Sequence, residues 1–394
     1  MLKTFFVDLF ESAISNIKKY NYSALNIRLI VFVLILTILG INVIGSASKF
    51  NYDVSQTQGL VVGLFVMVVV GLVNYKFILR FYWIFYILNL LVLLAIKFTP
   101  LGNEVGGAKR WIVIGGFQFQ PSELSKIILI LFFAAFLAKY KDKLKDIKFV
   151  LVAIALFAAP ALLIYKQPDL STTIVIFLTF CAIIFICGLS YKIIGIFLAI
   201  IVPLAIVLLC VILALPRENN IIEQYQYDRI IGFYDEENSE AARIRYQQEN
   251  SVMAIGSGGL TGKGLNNDET TSVKNGNYIS EPQTDFIFTI VGEELGFIGT
   301  TAVIVLIALI VFECMMTGLR ASTLEGRIIC IGFGSWIAFQ SFINIAVATM
   351  LIPNTGLPLP FVSYGQTSLV CLFIGVGLVL NVSLQREKIR FGRR

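Results

Sequence analysis

Ten apolar runs separated by polar connections make up most of the chain. They fall at about 26–46, 56–74, 77–99, 123–138, 147–165, 171–188, 191–215, 285–319, 326–352 and 361–383. Most reach the roughly 20 residues a helix needs to cross a hydrocarbon core. The eighth is the longest, so its first part is expected to be tilted or broken. The first is expected to remain a span rather than be cleaved as a signal peptide: some 25 residues precede it, no small-residue cleavage site follows, and further spans come after it. Ahead of it, "MLKTFFVDLFESAISNI" sets Phe6, Leu9, Phe10, Ala13 and Ile17 on one helical face. That pattern predicts a short amphipathic helix on the inner leaflet, the alternative being a partly disordered start.

Polar positions sharpen two of the connections. Between Gly106 and Lys126 the chain reads "GGAKRWIVIGGFQFQPSELSK". "WIVI" and "FQFQ" flank Gly115-Gly116, a pair suited to a two-residue hairpin turn. Pro121 fits the first turn of the following helix and Glu123 favours its positive end. Lys126, three residues on, is a surface neighbour of Glu123. The second connection, 216–284, is too long for an ordinary link, and its Tyr, Ile and Arg content argues for partial order.

Composition agrees with a membrane chain: 57% of the 394 residues are hydrophobic and 14% charged, against about 25% charged in soluble domains. About 19 of the 31 basic residues fall on one side when both termini are placed in the cytoplasm. The net charge of +6 is then an orientation signal and an attraction to anionic lipid, not a nucleic-acid footprint. The expected organisation is a cytoplasmic amphipathic segment (1–25), a ten-helix all-α transmembrane domain (26–383) with outer loops at 100–122 and 216–284, and a basic cytoplasmic tail (384–394). The six cysteines lie in apolar runs and form no CxxC, which argues against disulfides and cysteine metal sites. The chain has no histidine, so acid–base chemistry falls to carboxylates.

Candidate chemistry gathers at the outer ends of the spans. Glu123 and Lys126 are either a pair that eases a helix entry near lipid or a polar site at the membrane edge. Lys109 and Arg110 suit lipid phosphate in general or one phosphorylated ligand, and Trp111 suits an interface anchor. Asp285, in "EPQTDFIF", is most simply an N-cap, although a carboxylate there also faces the large loop. Asp169 in "KQPDLSTT" is likewise a cap. Glu293 and Glu294 lie deeper in the same helix as Asp285, facing a cavity or partner rather than lipid. "GSGGLTGKG" (256–264) fails as a phosphate loop, because Ser257 and Gly264 stand where Gly and Ser or Thr are required. Its glycines are better read as a tight, backbone-exposed turn. "LIPNTGLPLPFVSYGQTS" (351–368) predicts a fixed, re-entrant loop, and Gln340 and Asn344 are read as inter-helix hydrogen-bonding groups.

Taken in order, "GGAKRWI" with "FQPSELSK", "KQPDLST", "AIGSGGLTGKG", "TDFIFTIVGEELGFIG" and "NTGLPLPFVSYG" resemble the SEDS family (shape, elongation, division and sporulation). The resemblance implies ten transmembrane helices in the bacterial cell membrane and a peptidoglycan glycosyltransferase that polymerises lipid II. It implies a class B penicillin-binding protein, a transpeptidase, as partner. The family's essential aspartate falls on Asp285, its tryptophan on Trp111, and its acid and base on Glu123 and Lys126. Departures are Gln283 in place of a His, "YGQTS" at 364–368, "NIA" at 344–346, "PDLST" and "ISEPQ". "FQFQPSE" and "DRIIGFYDEE" lean towards the elongation, RodA-like branch. In the implied reaction Asp285 is the candidate base, and Lys109, Arg110 and Lys126 are the candidate phosphate contacts. Arg229, Arg243 and Arg245 are weaker candidates. Hard oxygen ligands would suit a Mg²⁺ or Mn²⁺ ion bridging Asp285 and pyrophosphate. A lipid II flippase and a scaffold for the transpeptidase are the rival readings.

Overall fold

The computed structural model describes residues 20–386 except 49–50, 100–101, 106–107, 115–116, 190, 216–221, 223, 235–241, 268–271, 273–274 and 277. The expected amphipathic segment, the basic tail beyond Arg386 and the Gly115-Gly116 turn lie outside those residues. A helix stands at each of the ten apolar runs: α1 Ile27–Ala47, α2 Tyr52–Leu72, α3 Tyr75–Phe98, α4 Pro121–Lys139, α5 Ile147–Tyr165, α6 Leu170–Ile186, α7 Tyr191–Ala214, then α10 Ile287–Leu319, α11 Leu324–Ala348 and α12 Gln366–Leu384. Among the described residues, eight are long and apolar enough to cross a membrane, and α6 is a shorter apolar helix of 17 residues. Two further helices, α8 Gln224–Tyr234 and α9 Ala242–Ser257, build the large loop.

Three helices make the interior. Most of the side chains of α4, α11 and α12 are buried, while α2, α3 and α5 leave most of theirs at least partly exposed, as lipid-facing helices do. Glycines set the closest contact, between α2 and α12. A Cβ on Gly63 would meet the Phe373 ring at 2.6 Å, and one on Gly377 would lie 2.7 Å from Met67 O. Small residues that let two helices approach replace the hydrophobic drive that lipid cannot supply.

Between α3 and α4 the chain forms an antiparallel sheet: β1 Asn103–Val105, β2 Ala108–Ile114 and β3 Phe117–Phe119. β2 and β3 pair from Ile112↔Phe119 to Ile114↔Phe117, so the expected hairpin is present, and β1 adds a strand that sequence pattern did not show. The β1–β2 register steps from Asn103↔Trp111 to Glu104↔Lys109, which makes Arg110 the extra residue of a β-bulge. Bulges re-aim a side chain and recur beside functional sites. Pro121 opens α4, where its missing N–H removes no helical bond.

α10 is broken, as its length implied. Gly296 has φ 64°, outside the helical range. The backbone there is satisfied by the glycine loop, not by water. Lys263 N donates to Glu293 O at 3.0 Å and Gly264 N to Glu294 O at 2.9 Å, while Phe297 N and Ile298 N donate to Gly259 O and Leu260 O. The fit is close: a Cβ on Gly262 would stand 2.1 Å from Glu294 O and one on Gly258 2.0 Å from Gly292 O. "GSGGLTGKG" is thus a backbone clamp on a helix break, consistent with its reading as a tight turn.

Candidate active site

The connection from α11 to α12 dips into the bundle. Leu357, Leu359, Phe361 and Val362 are buried, and a Cβ on Gly40, well inside α1, would meet Val362 Cα at 2.7 Å. The segment just before α10 is pinned to this loop and to α11 through three successive carbonyls. Tyr364 N donates to Gln283 O (2.9 Å), Ser363 Oγ to Thr284 O (2.6 Å), and Asn344 Nδ2 to Asp285 O (2.8 Å). Asn344 Nδ2 also donates to Leu357 O at 2.6 Å, and Ser363 Oγ accepts from Leu359 N at 2.7 Å. The backbone on both sides of the Asp285 carboxylate is therefore held at fixed points.

Asp285 is not a helix cap. The N-cap of α10 is Phe286, and no side chain bonds the first-turn amides. Asp169, by contrast, caps α6: it accepts from Thr172 N at 3.1 Å, and its other oxygen accepts from Ser122 Oγ and Gln120 Nε2. The expectation of a cap holds for Asp169 and is corrected for Asp285, which sits one position too early and is free to face the large loop.

Its carboxylate meets two arginines. A Cβ on Gly356 (φ +72°) would lie 3.0 Å from Arg229 Nη1 and 3.2 Å from Asp285 Oδ2, so both groups converge on one hydrogen-sized gap. Arg229 comes from α8, whose Tyr227 and Ile231 pack on Ile212 of α7 in a small core of their own. Arg110, the bulge residue of β2, is the second cation near the carboxylate. Burial pushes the Asp285 carboxyl above its ordinary value, Arg229 and then Arg110 pull it back, and Glu281 adds to the rise. Three buried polar atoms around the group, Arg110 Nε, Asn344 Oδ1 and Thr355 Oγ1, have no hydrogen-bond partner among the described residues.

Glu123 and Lys126 turn inward. They are 3% and 2% exposed and pair at 2.6 Å. The Lys126 ammonium also donates to Gln340 Oε1 at 2.9 Å and lies 4.7 Å from the centre of the Trp336 ring. The sequence left them as either a helix-entry pair or a polar site at the membrane edge, and the structure places them in the interior, where α11 supplies the Gln340 acceptor and the Trp336 ring. Of the remaining cations, Arg245 pairs with Glu249 at 2.8 Å along α9. Trp111 is half-buried on β2, and the side chains of Lys109 and Arg243 lie outside the described residues. Glu293 is neutralised by Lys263 at 2.9 Å, and Glu294 accepts from Ser46 Oγ at 2.6 Å.

Among the described residues no three carboxylate, Cys or His groups cluster, so an ion at Asp285 would have one protein carboxylate as ligand, beside the charges of Arg229 and Arg110. Sequence reasoning ranked Arg229 too low and missed Gly356, Ser363 and Trp336. The one signal available for the rest was the i, i+4 spacing of Gln340 and Asn344, which puts both amides on one face of α11.

A family described as a cell cycle protein, FTSW_RODA_SPOVE, matches residues 20–388. A curated relative, the probable peptidoglycan glycosyltransferase FtsW of Pseudoalteromonas translucida, is 34% identical over 73% of this chain and 69% of its own length. A chain from a structure described as showing structural coordination of polymerization and crosslinking by a peptidoglycan synthase complex superposes with TM-score 0.71 at 26% identity, covering 91% of this chain and 97% of that one. The crystal structure of RodA from Thermus thermophilus shares the fold at TM-score 0.67 and 24% identity, covering 93% and 99%.

Proposed function

The chain belongs to the FtsW, RodA and SpoVE family of multi-pass bacterial membrane proteins, and on that premise we propose that it is a peptidoglycan glycosyltransferase that polymerises lipid II at the outer face of the membrane. One observation carries the reading: an anchored carboxylate, Asp285, with two cations from separate elements converging on it. The acceptor sugar's hydroxyl attacks the anomeric carbon of the lipid-linked donor, forming the glycosidic C–O bond as the bond to pyrophosphate breaks. Asp285 takes the hydroxyl proton. Its raised proton affinity suits that task better than an ordinary carboxylate would.

Arg229 and Arg110 take the negative charge that develops on the leaving pyrophosphate. The unpartnered Arg110 Nε and Thr355 Oγ1 are donors that such a phosphate satisfies. Lys109 and Trp111, on the same strand as Arg110, complete the proposed substrate wall. Arg229 and Arg110 supply counter-charge for pyrophosphate, and a Mg²⁺ or Mn²⁺ ion would be held there by the Asp285 carboxylate together with the substrate's phosphate oxygens. A class B penicillin-binding protein is the proposed partner, supported by the similarity to a chain of a peptidoglycan synthase complex. The sequence leans towards elongation, whereas the curated relative carries the FtsW name. Complementation of strains depleted of either function reads the branch.

The test is polymerisation of labelled lipid II by the purified protein with its transpeptidase, with and without EDTA. Wild type yields glycan strands, loss of them in EDTA reads out the divalent ion, and Asp285→Ala yields none in either condition while keeping its thermal unfolding midpoint. Full activity in Asp285→Ala refutes the assignment. Transfer of lipid II across vesicles without polymerisation would favour the flippase instead.

A further inference from the structure

Lys126 and Trp336 fix the orientation of one buried amide. Both are donors only, and both point at the same atom: Lys126 Nζ lies 2.9 Å and Trp336 Nε1 2.7 Å from Gln340 Oε1. The amide has one arrangement that satisfies both, with oxygen towards them. Its nitrogen must then face away, and it donates to Pro358 O at 2.8 Å. One turn along the same face of α11, Asn344 donates to Leu357 O and to Asp285 O. Two amides on one rigid helix therefore hold consecutive carbonyls of the re-entrant loop, together with the backbone of the candidate base.

The ion pair is closed to substrate from the side of an adjoining crevice. That crevice, walled by Leu129, Ile130, Phe133, Phe180 and Trp336, admits no more than about one water molecule. A buried ion pair is also a weak device for stability, because apolar replacements of similar volume often serve as well. Its retention fits a role in orientation.

Resting on the glycosyltransferase reading, we propose that Glu123, Lys126, Trp336 and Gln340 are positioning residues. They orient Gln340 so that it sets the 356–358 turn, and with it the contact between Asp285 and Arg229, and none of them touches the lipid-linked sugar. Glu123 holds the Lys126 ammonium, the ammonium and the indole hold the Gln340 oxygen, and the Gln340 nitrogen holds the loop. No covalent step is involved.

Two variants of the full chain with its transpeptidase test this. Gln340→Leu removes the relay and leaves the ion pair in place. The double variant Glu123→Gln with Lys126→Met removes the charges at nearly constant volume, and it stands in if Gln340→Leu does not fold. Polymerisation of labelled lipid II should show kcat down about tenfold or more with KM changed by less than about threefold. The acidic limb of the pH profile should move as Arg229 and Asp285 lose register. Hydrogen–deuterium exchange should rise in the 353–365 peptide and stay unchanged in α12, a readout that needs no activity. Unchanged exchange in both variants overturns the proposal, and so does a raised KM with kcat intact, the mark of direct substrate contact. Failure of wild type to make glycan strands would instead count against the glycosyltransferase reading and leave the exchange result to decide this one.

Discussion

Gly356→Ala is the sharpest probe of the geometry around Asp285. The added methyl would stand 3.0 and 3.2 Å from the Arg229 guanidinium nitrogens and 3.2 Å from Asp285 Oδ2, short of an ordinary 3.4 Å contact. To restore that contact both side chains must retreat by about 0.2–0.4 Å, a misplacement of the order that costs rate in a positioned site. The backbone adds its own cost: φ is +72°, and an L-residue there loses about 1–2 kcal/mol. Spread over a chain of 394 residues, that loss moves the midpoint of thermal unfolding by only about 1–3 °C. Displacing the carboxylate and its cation should act on rate far more strongly, by about tenfold or more. Gly188→Ala is the matched control, because Gly188 has φ +87° but nothing within 4 Å of the added methyl. Both variants are assayed for lipid II polymerisation and for thermal unfolding in detergent. The expected result is a similar small loss of stability in both and a rate loss confined to Gly356→Ala. Wild-type turnover in Gly356→Ala, or equal rate losses in the two variants, would refute the convergence of Arg229 and Asp285 as a catalytic arrangement.

Removing Arg229 should shift the pH profile in a defined direction. Arg229 lowers the proton affinity of Asp285, so Arg229→Gln raises it further, the base stays protonated to higher pH, and the acidic limb of kcat moves up. A limb that stays put or moves down contradicts this. Lys263→Met removes the ion-pair partner of the buried Glu293, 1% exposed, and should cost about 3–5 kcal/mol, seen as loss of folded protein on size-exclusion chromatography. Adding Glu293→Gln to it should restore most of the folded yield. Asp169→Ala removes the α6 cap together with the acceptor of Ser122 and Gln120. It should cost about 1–2 kcal/mol in thermal unfolding and leave KM near wild type.

Much of this architecture was legible in the sequence because its causes are local. A backbone in hydrocarbon must satisfy its own hydrogen bonds, so each long apolar run had to be a helix. The alternation in "WIVIGGFQFQ", Pro121 at a helix start and the glycines of "GSGGLTGKG" each impose a conformation within a few residues. The break in α10 was visible as excess length. What sequence could not decide was the work of side chains meeting across the fold. Asp169 and Asp285 read alike, each an acid ahead of an apolar helix. One caps because Thr172 N lies within its reach. The other does not, because Phe286 is the N-cap and the loop 353–365 claims the carbonyls of Gln283 and Thr284. Arg110 faces the site through a bulge whose register depends on β1, and Arg229 gets there on α8, 56 positions before Asp285 in the chain. Glu123 and Lys126 looked like a surface pair at i, i+3, and they are interior because Gln340 and Trp336, more than 200 residues away, provide the acceptor and the ring that make burial of the ammonium tolerable. Hydropathy and backbone sterics act over a turn or two of chain, whereas electrostatic complementarity acts over a few ångströms of space, and only the tertiary structure decides which residues share that space.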